Sequence, residues 1–210
     1  MTTERLTKLS SWLEEKEIDV AFLTSSENVF YLSGFLSDPH ERLLGIGVFP
    51  DAEPFLICPG MEKEDAKKTG WPYEIIGYDD TVNPWEMVRT AILSRSANVH
   101  KTAVEKEHLN VERYEQLQKM LPNSTYVSVE ERLRELRLVK DSHEVEKLRE
   151  ACALADYAIE VGVHEIKEGK TEMEILAAIE YALKKKGVLE MSFSTMVLTG
   201  KNAASPHGTP

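Results

Sequence analysis

Near residue 140 the hydrophobic rhythm of this 210-residue chain changes, and the change limits the folds open to it. Before that point short apolar runs alternate with amphipathic stretches; across 141–186 apolar residues recur only at helical spacing. Residues 3–16 read as an amphipathic helix with Leu6, Leu9, Trp12 and Leu13 on one stripe. A short buried strand follows at 18–24, then a helix at 27–32 closed by Gly34. Strands at 43–49 and 54–58 flank a Pro50-Asp51 turn, which predicts a hairpin. The pattern continues with a helix at 61–69, a strand at 74–78, a helix at 84–95 with Pro84 in its first turn, and a strand at 102–105. A helix at 111–121 is stopped by Pro122, and 126–129 is the last strand. Strands alternating with helices predict an α/β layer around a mixed central sheet, ending near Arg137.

The second stretch is helical. Asp141 and Glu144 have the spacing of a capping box, and Val145, Leu148, Cys152, Ala155, Ile159 and Ile166 follow at helical spacing up to Gly169. Thr171 and Glu174 repeat the box. The second helix runs to Lys184-Lys185-Lys186-Gly187, where cations suit the negative end of the dipole. A strand is expected at 193–198. Two domains follow from this: 1–137, and the opening of another over 138–210. The helix pair should then expose apolar surface unless further chain covers it.

The net charge of -11 excludes a nucleic-acid or anionic-membrane surface, since both need a basic face. No run of eighteen apolar residues exists to span a bilayer. The N-terminus lacks the apolar core of a secretory signal. Cys58 and Cys152 lie far apart in apolar surroundings and read as buried, reduced thiols, which fits the cytoplasm.

Three places could carry chemistry. His207 sits between Pro206 and Gly208 in an irregular loop, where an imidazole can donate to a carbonyl gaining negative charge. By spacing alone, a histidine in a Pro/Gly loop is usually just a surface histidine. Asp38-Pro39-His40-Glu41-Arg42 forms a polar loop whose mixed charges could grip a zwitterion, or simply be a solvated turn. Glu160, His164 and Glu168 share a helix face, which permits metal ligation but also describes an ordinary wet face. The His-Glu pairs at His40, His143 and His164 lack the second histidine of a zincin. No phosphate-binding glycine loop and no Gly-x-Ser-x-Gly elbow is present.

Three stretches, in register, resemble the creatinase/prolidase/aminopeptidase P family of pita-bread metallopeptidases. They are Asn28-Val-Phe-Tyr31-Leu-Ser-Gly34-Phe35; the run from Leu136 to Ala151; and Phe193-Ser-Thr195 through Gly200-Lys-Asn202 to His207-Gly208. The resemblance covers essentially the whole chain and is greatest to a bacterial Xaa-Pro dipeptidase. It implies a creatinase-like α/β N-terminal domain with helices on both faces of its sheet, followed by the first helices and strand of an α+β pita-bread domain. It also implies two divalent metal ions (manganese, cobalt or zinc) that activate water against a peptide carbonyl. The family's ligands, two Asp, one His and two Glu, lie after the histidine loop, so none is assigned here and this portion alone should not hydrolyse peptides. His207 matches the family's non-ligand histidine near the scissile bond. Phe193 begins the same strand and is expected to line the pocket. The 38–42 loop resembles the segment that approaches a partner subunit's active site, which places His40 and Arg42 at the substrate or its rim; Arg42 suits a dipeptide's terminal carboxylate.

The expected function is hydrolysis of the peptide bond before proline in dipeptides, by a cytoplasmic homodimer of which this chain is the N-terminal part. An aminopeptidase acting on longer Xaa-Pro peptides, a creatinase-like hydrolase, and a non-catalytic dimerisation module or pseudoenzyme remain as alternatives.

Overall fold

The computed structural model describes residues 2–210, which divide into two compact units, one ending at Val139 and the other running from Lys140 to Pro210.

The first unit opens with α1 (Thr2–Glu15), β1 (Val20–Leu23) and α2 (Ser26–Ser33). The hairpin β2 (Gly45–Val48) and β3 (Phe55–Pro59) comes next. A short 3-10 turn leads into α3 (Lys63–Lys68), followed by β4 (Glu74–Tyr78) and α4 (Pro84–Arg95). The unit closes with β5 (Lys101–Val104), α5 (Val111–Met120), β6 (Thr125–Ser128) and α6 (Glu130–Leu138). The sheet order is β4-β3-β2-β1-β5-β6. It is mixed: β1–β2 and β2–β3 are antiparallel, whereas β3–β4, β1–β5 and β5–β6 are parallel.

Strand periodicity sorts the core into two layers. Along β1, Ala21 and Leu23 join Leu6, Leu9 and Leu13 of α1, Val29 and Leu32 of α2, and Leu133 of α6. Val20 and Phe22 point the other way, to Val88 and Ile92 of α4 and Leu117 of α5. β3 divides in the same manner, with Leu56 and Cys58 in the first layer and Phe55 and Ile57 in the second. Helices therefore cover both faces, and the central strands are apolar throughout because neither face meets water. The glycines of β2 face the second layer. A Cβ on Gly47 would come within 2.3 Å of the Phe55 ring, so the strand has room for that ring only because position 47 lacks a side chain.

The second unit contains α7 (Ser142–Glu165) and α8 (Glu172–Lys185). Both expected capping boxes form: Asp141 with Glu144, and Thr171 with Glu174. The two helices pack closely at Gly162, where a Cβ would sit 3.0 Å from Ile179. Ile175 and Leu183 are buried, but several other apolar residues are open: Ile159 is 68% exposed, Val163 64% and Tyr181 67%.

Three expectations are corrected. Cys152 is exposed, unlike Cys58, because no described residue covers its side of α7. Residues 193–198 form no strand. A lone extended segment cannot complete a hydrogen-bonded ladder, and the described residues of this unit contain no other strand. Glu168 is not on the helix with Glu160 and His164, since α7 ends at Glu165. α6 is a helix that the sequence pattern does not predict.

Candidate functional site

In the second unit, His207 is carried by a loop made of short turns. The amides of Asn202 and Ala203 reach the Thr199 carbonyl, and those of Ser205 and Gly208 reach the carbonyls of Asn202 and Ser205. Asn202–Ala204 is a single 3-10 turn. His207 is exposed to solvent. Phe193 is also exposed, at 75%, so neither expected residue of this loop is locked in a core.

Glu172 holds the loop in place, and sequence reading missed it. Its Oε1 accepts the Thr199 amide and its Oε2 accepts the Asn202 side-chain amide at 3.0 Å. The signal was present in Thr171-Glu172-Met173-Glu174: one carboxylate completes the cap, and the other is left for a different partner. Glu174 takes the capping role. Hydrogen bonds from Thr171, backbone first and then side chain, draw its carboxyl below the ordinary value.

In the first unit, the 38–42 loop is tightly turned. His40 has φ 57°, in the left-handed region, and its amide donates to Asp38 Oδ1 at 3.2 Å. Arg42 meets a partner the sequence did not announce. Its Nε and Nη2 donate to the two Asp80 carboxylate oxygens at 3.0 and 3.1 Å. This fork raises the guanidinium pKa further, so Arg42 is a permanent cation. Its Nη1 faces the Met61 sulfur at 3.9 Å, a weak acceptor. Tyr78 fixes the loop's exit: its hydroxyl accepts the Leu43 amide at 2.6 Å and donates to the Leu43 carbonyl at 3.0 Å. His40, Arg42, Tyr78, Asp80, Trp85 and Arg113 line a cavity of about 400 Å³. His40 and Arg42 thus line the same cavity, together with the acidic Glu41, Asp80 and Glu112.

A buried carboxylate lies beside α2. Glu105 is 3% exposed and accepts the amides of Thr24 and Ser25, the Ser25 hydroxyl and the Asn28 side-chain amide. Every one of these donors compensates for its burial. Asn28 belongs to the stretch that carries the family resemblance, and its place here is structural.

Residues 5–139 match the creatinase/prolidase N-terminal domain, and residues 146–210 match metallopeptidase family M24. This chain belongs to the creatinase/prolidase family. It is 50% identical over 206 residues to the Bacillus subtilis (strain 168) protein YkvY, covering 98% of this chain and 57% of that one. It is 39% identical over 207 residues to the Xaa-Pro dipeptidase of Lactobacillus helveticus, covering 98% of this chain and 56% of that one. Among solved structures, the N-terminal domain of Xaa-Pro dipeptidase from Lactobacillus brevis matches with 34% identity and a TM-score of 0.60, covering 62% of this chain and 98% of that one. The prolidase from Pyrococcus furiosus matches with 27% identity and a TM-score of 0.83, covering 97% and 59%. The chain spans little more than half the length of the curated relatives it matches.

Membership of a metallopeptidase family implies divalent metal ions. The residues present here do not fit such a centre: among the described residues no group of three or more His, Cys, Asp or Glu side chains could hold a metal. No helix among them is long and apolar enough to cross a membrane.

Proposed function

We propose that this chain is the N-terminal part of an Xaa-Pro dipeptidase, a hydrolase of the peptide bond before proline in dipeptides. The observation that carries the reading is the pair of matched segments in one chain, the creatinase/prolidase N-terminal domain followed by the start of an M24 domain. Residues 1–137 are the creatinase-like domain and 138–210 the opening of the pita-bread domain. The two metal ions, manganese, cobalt or zinc, belong to residues outside this chain.

His207 is the catalytic residue we assign. An exposed imidazole on a pinned loop is available to donate a hydrogen bond to the scissile carbonyl as its oxygen gains charge. Phe193, on the segment leading to that loop, supplies apolar surface for the substrate. His40 and Arg42 form a rim, with Arg42 Nη1 exchanging the weakly accepting Met61 sulfur for the dipeptide's terminal carboxylate. Short proline-containing peptides are the substrates, and a homodimer through the N-terminal domain is the assembly. Cytoplasmic location accords with two unbridged cysteines.

The test compares Ala-Pro with Ala-Pro-Phe as substrates of the full-length, manganese-loaded protein. Faster hydrolysis of Ala-Pro is expected, and preference for the tripeptide would instead make it an aminopeptidase. His207→Ala should lower kcat about a hundredfold, the usual cost of removing one donor to a developing oxyanion.

A further inference from the structure

We propose that Glu172 is a positioning residue for His207, an inference that rests on the catalytic reading of that histidine. The loop's own backbone bonds join near neighbours only: Asn202 and Ala203 to Thr199, Ser205 to Asn202, and Gly208 to Ser205. A catalytic donor on such a loop acts only if longer-range bonds hold it close to its working position.

The Glu172 carboxylate supplies an anchor from outside the loop. It is at the first position of α8, where the helix backbone dipole favours negative charge. Each oxygen takes a different donor, the Thr199 amide and the Asn202 side chain. Asn202 then donates to the Thr209 carbonyl at 3.0 Å, tying the loop's exit to the same point. His207 is therefore held between two ends that are both fastened through one carboxylate. Bonds to a charged acceptor are the strong kind. Glu172 touches no substrate in this arrangement; it acts through the loop.

The geometry predicts coupling between positions 172 and 207. In the full-length, manganese-loaded protein acting on Ala-Pro, Glu172→Ala should lower kcat about tenfold to a hundredfold, with KM and bound metal as in the parent, because a small misplacement of a catalytic group has that cost. In the His207→Ala background the same substitution should cause no further loss, the signature of two residues acting as one unit. Glu172→Gln should recover part of kcat, since its amide oxygen can still accept one of the two donors. It also serves the same cycle if the alanine variant fails to fold. Equal losses with and without His207 would overturn the proposal, as would an unchanged kcat in Glu172→Ala. A His207→Ala protein that keeps full activity would overturn the catalytic reading itself, a result distinguishable from either of those.

Discussion

Arg137 donates to the side-chain carbonyl of Asn28 at 2.7 Å, across 109 positions of sequence. The Asn28 amide donates in turn to buried Glu105, and the Tyr31 hydroxyl donates to the Leu136 carbonyl at 2.9 Å. The end of α6 is thereby fastened to α2, so the last residues of the first unit are held by a carboxylate in its core.

Removing that carboxylate should be costly. Glu105→Ala leaves the buried amides of Thr24 and Ser25 without their acceptor, a loss of about 3 kcal/mol or more. Urea unfolding measures it, and a loss below about 1 kcal/mol would mean that water replaces the carboxylate.

Glu130 gives a pH dependence of known sign. Burial pushes its carboxyl up, but the Ser128 hydroxyl and the backbone amides of Glu107, Glu130 and Val129 pull it down further, to a net position below 4.5. A folded value below the unfolded one means the unfolded chain binds more protons as pH falls. The stabilisation is therefore complete above pH 4.5 and is lost as pH drops through the lowered folded value. Glu130→Gln should flatten the acid side of a plot of urea midpoint against pH; parallel curves for the two proteins would refute this.

The two thiols should differ in reactivity. Burial, with a smaller push from Glu62 and partial relief from Lys63, raises the Cys58 pKa to about 12. Its thiolate is essentially absent at neutral pH, and the sulfur has no exposed surface. Cys152 is exposed. Iodoacetamide on the native 210-residue chain, followed by peptide mass analysis, should label Cys152 alone, with Cys58 labelled only after denaturation. Rapid native labelling of Cys58 would contradict the core packing described above.

Much of this architecture was legible because its signals are local. The apolar stripe of α1, the Pro50-Asp51 turn, and the two Asp/Thr–Glu capping boxes each declare an element within a few residues. α6 escaped because Glu130-Glu131-Arg132-Leu133-Arg134-Glu135 is mostly charged; only Leu133 of that helix is buried, and burial against α1 is a tertiary event. Cys152 was misjudged because an apolar helical stripe says that a face wants covering, not what covers it.

The candidate site divides along the same line. Sequence by itself determined the order of elements, the glycine, proline and histidine composition of the His207 loop, and the family to which they point, because backbone preference and short-range hydrogen bonding act within a turn or two. Tertiary structure decided which partners the polar side chains find: Asp80 on Arg42, Glu172 on the His207 loop, Glu105 beneath Asn28. Those pairs lie 38, 30 and 77 positions apart. No local propensity connects residues at such distances; only closing the chain around its core brings the charges and donors within hydrogen-bonding reach.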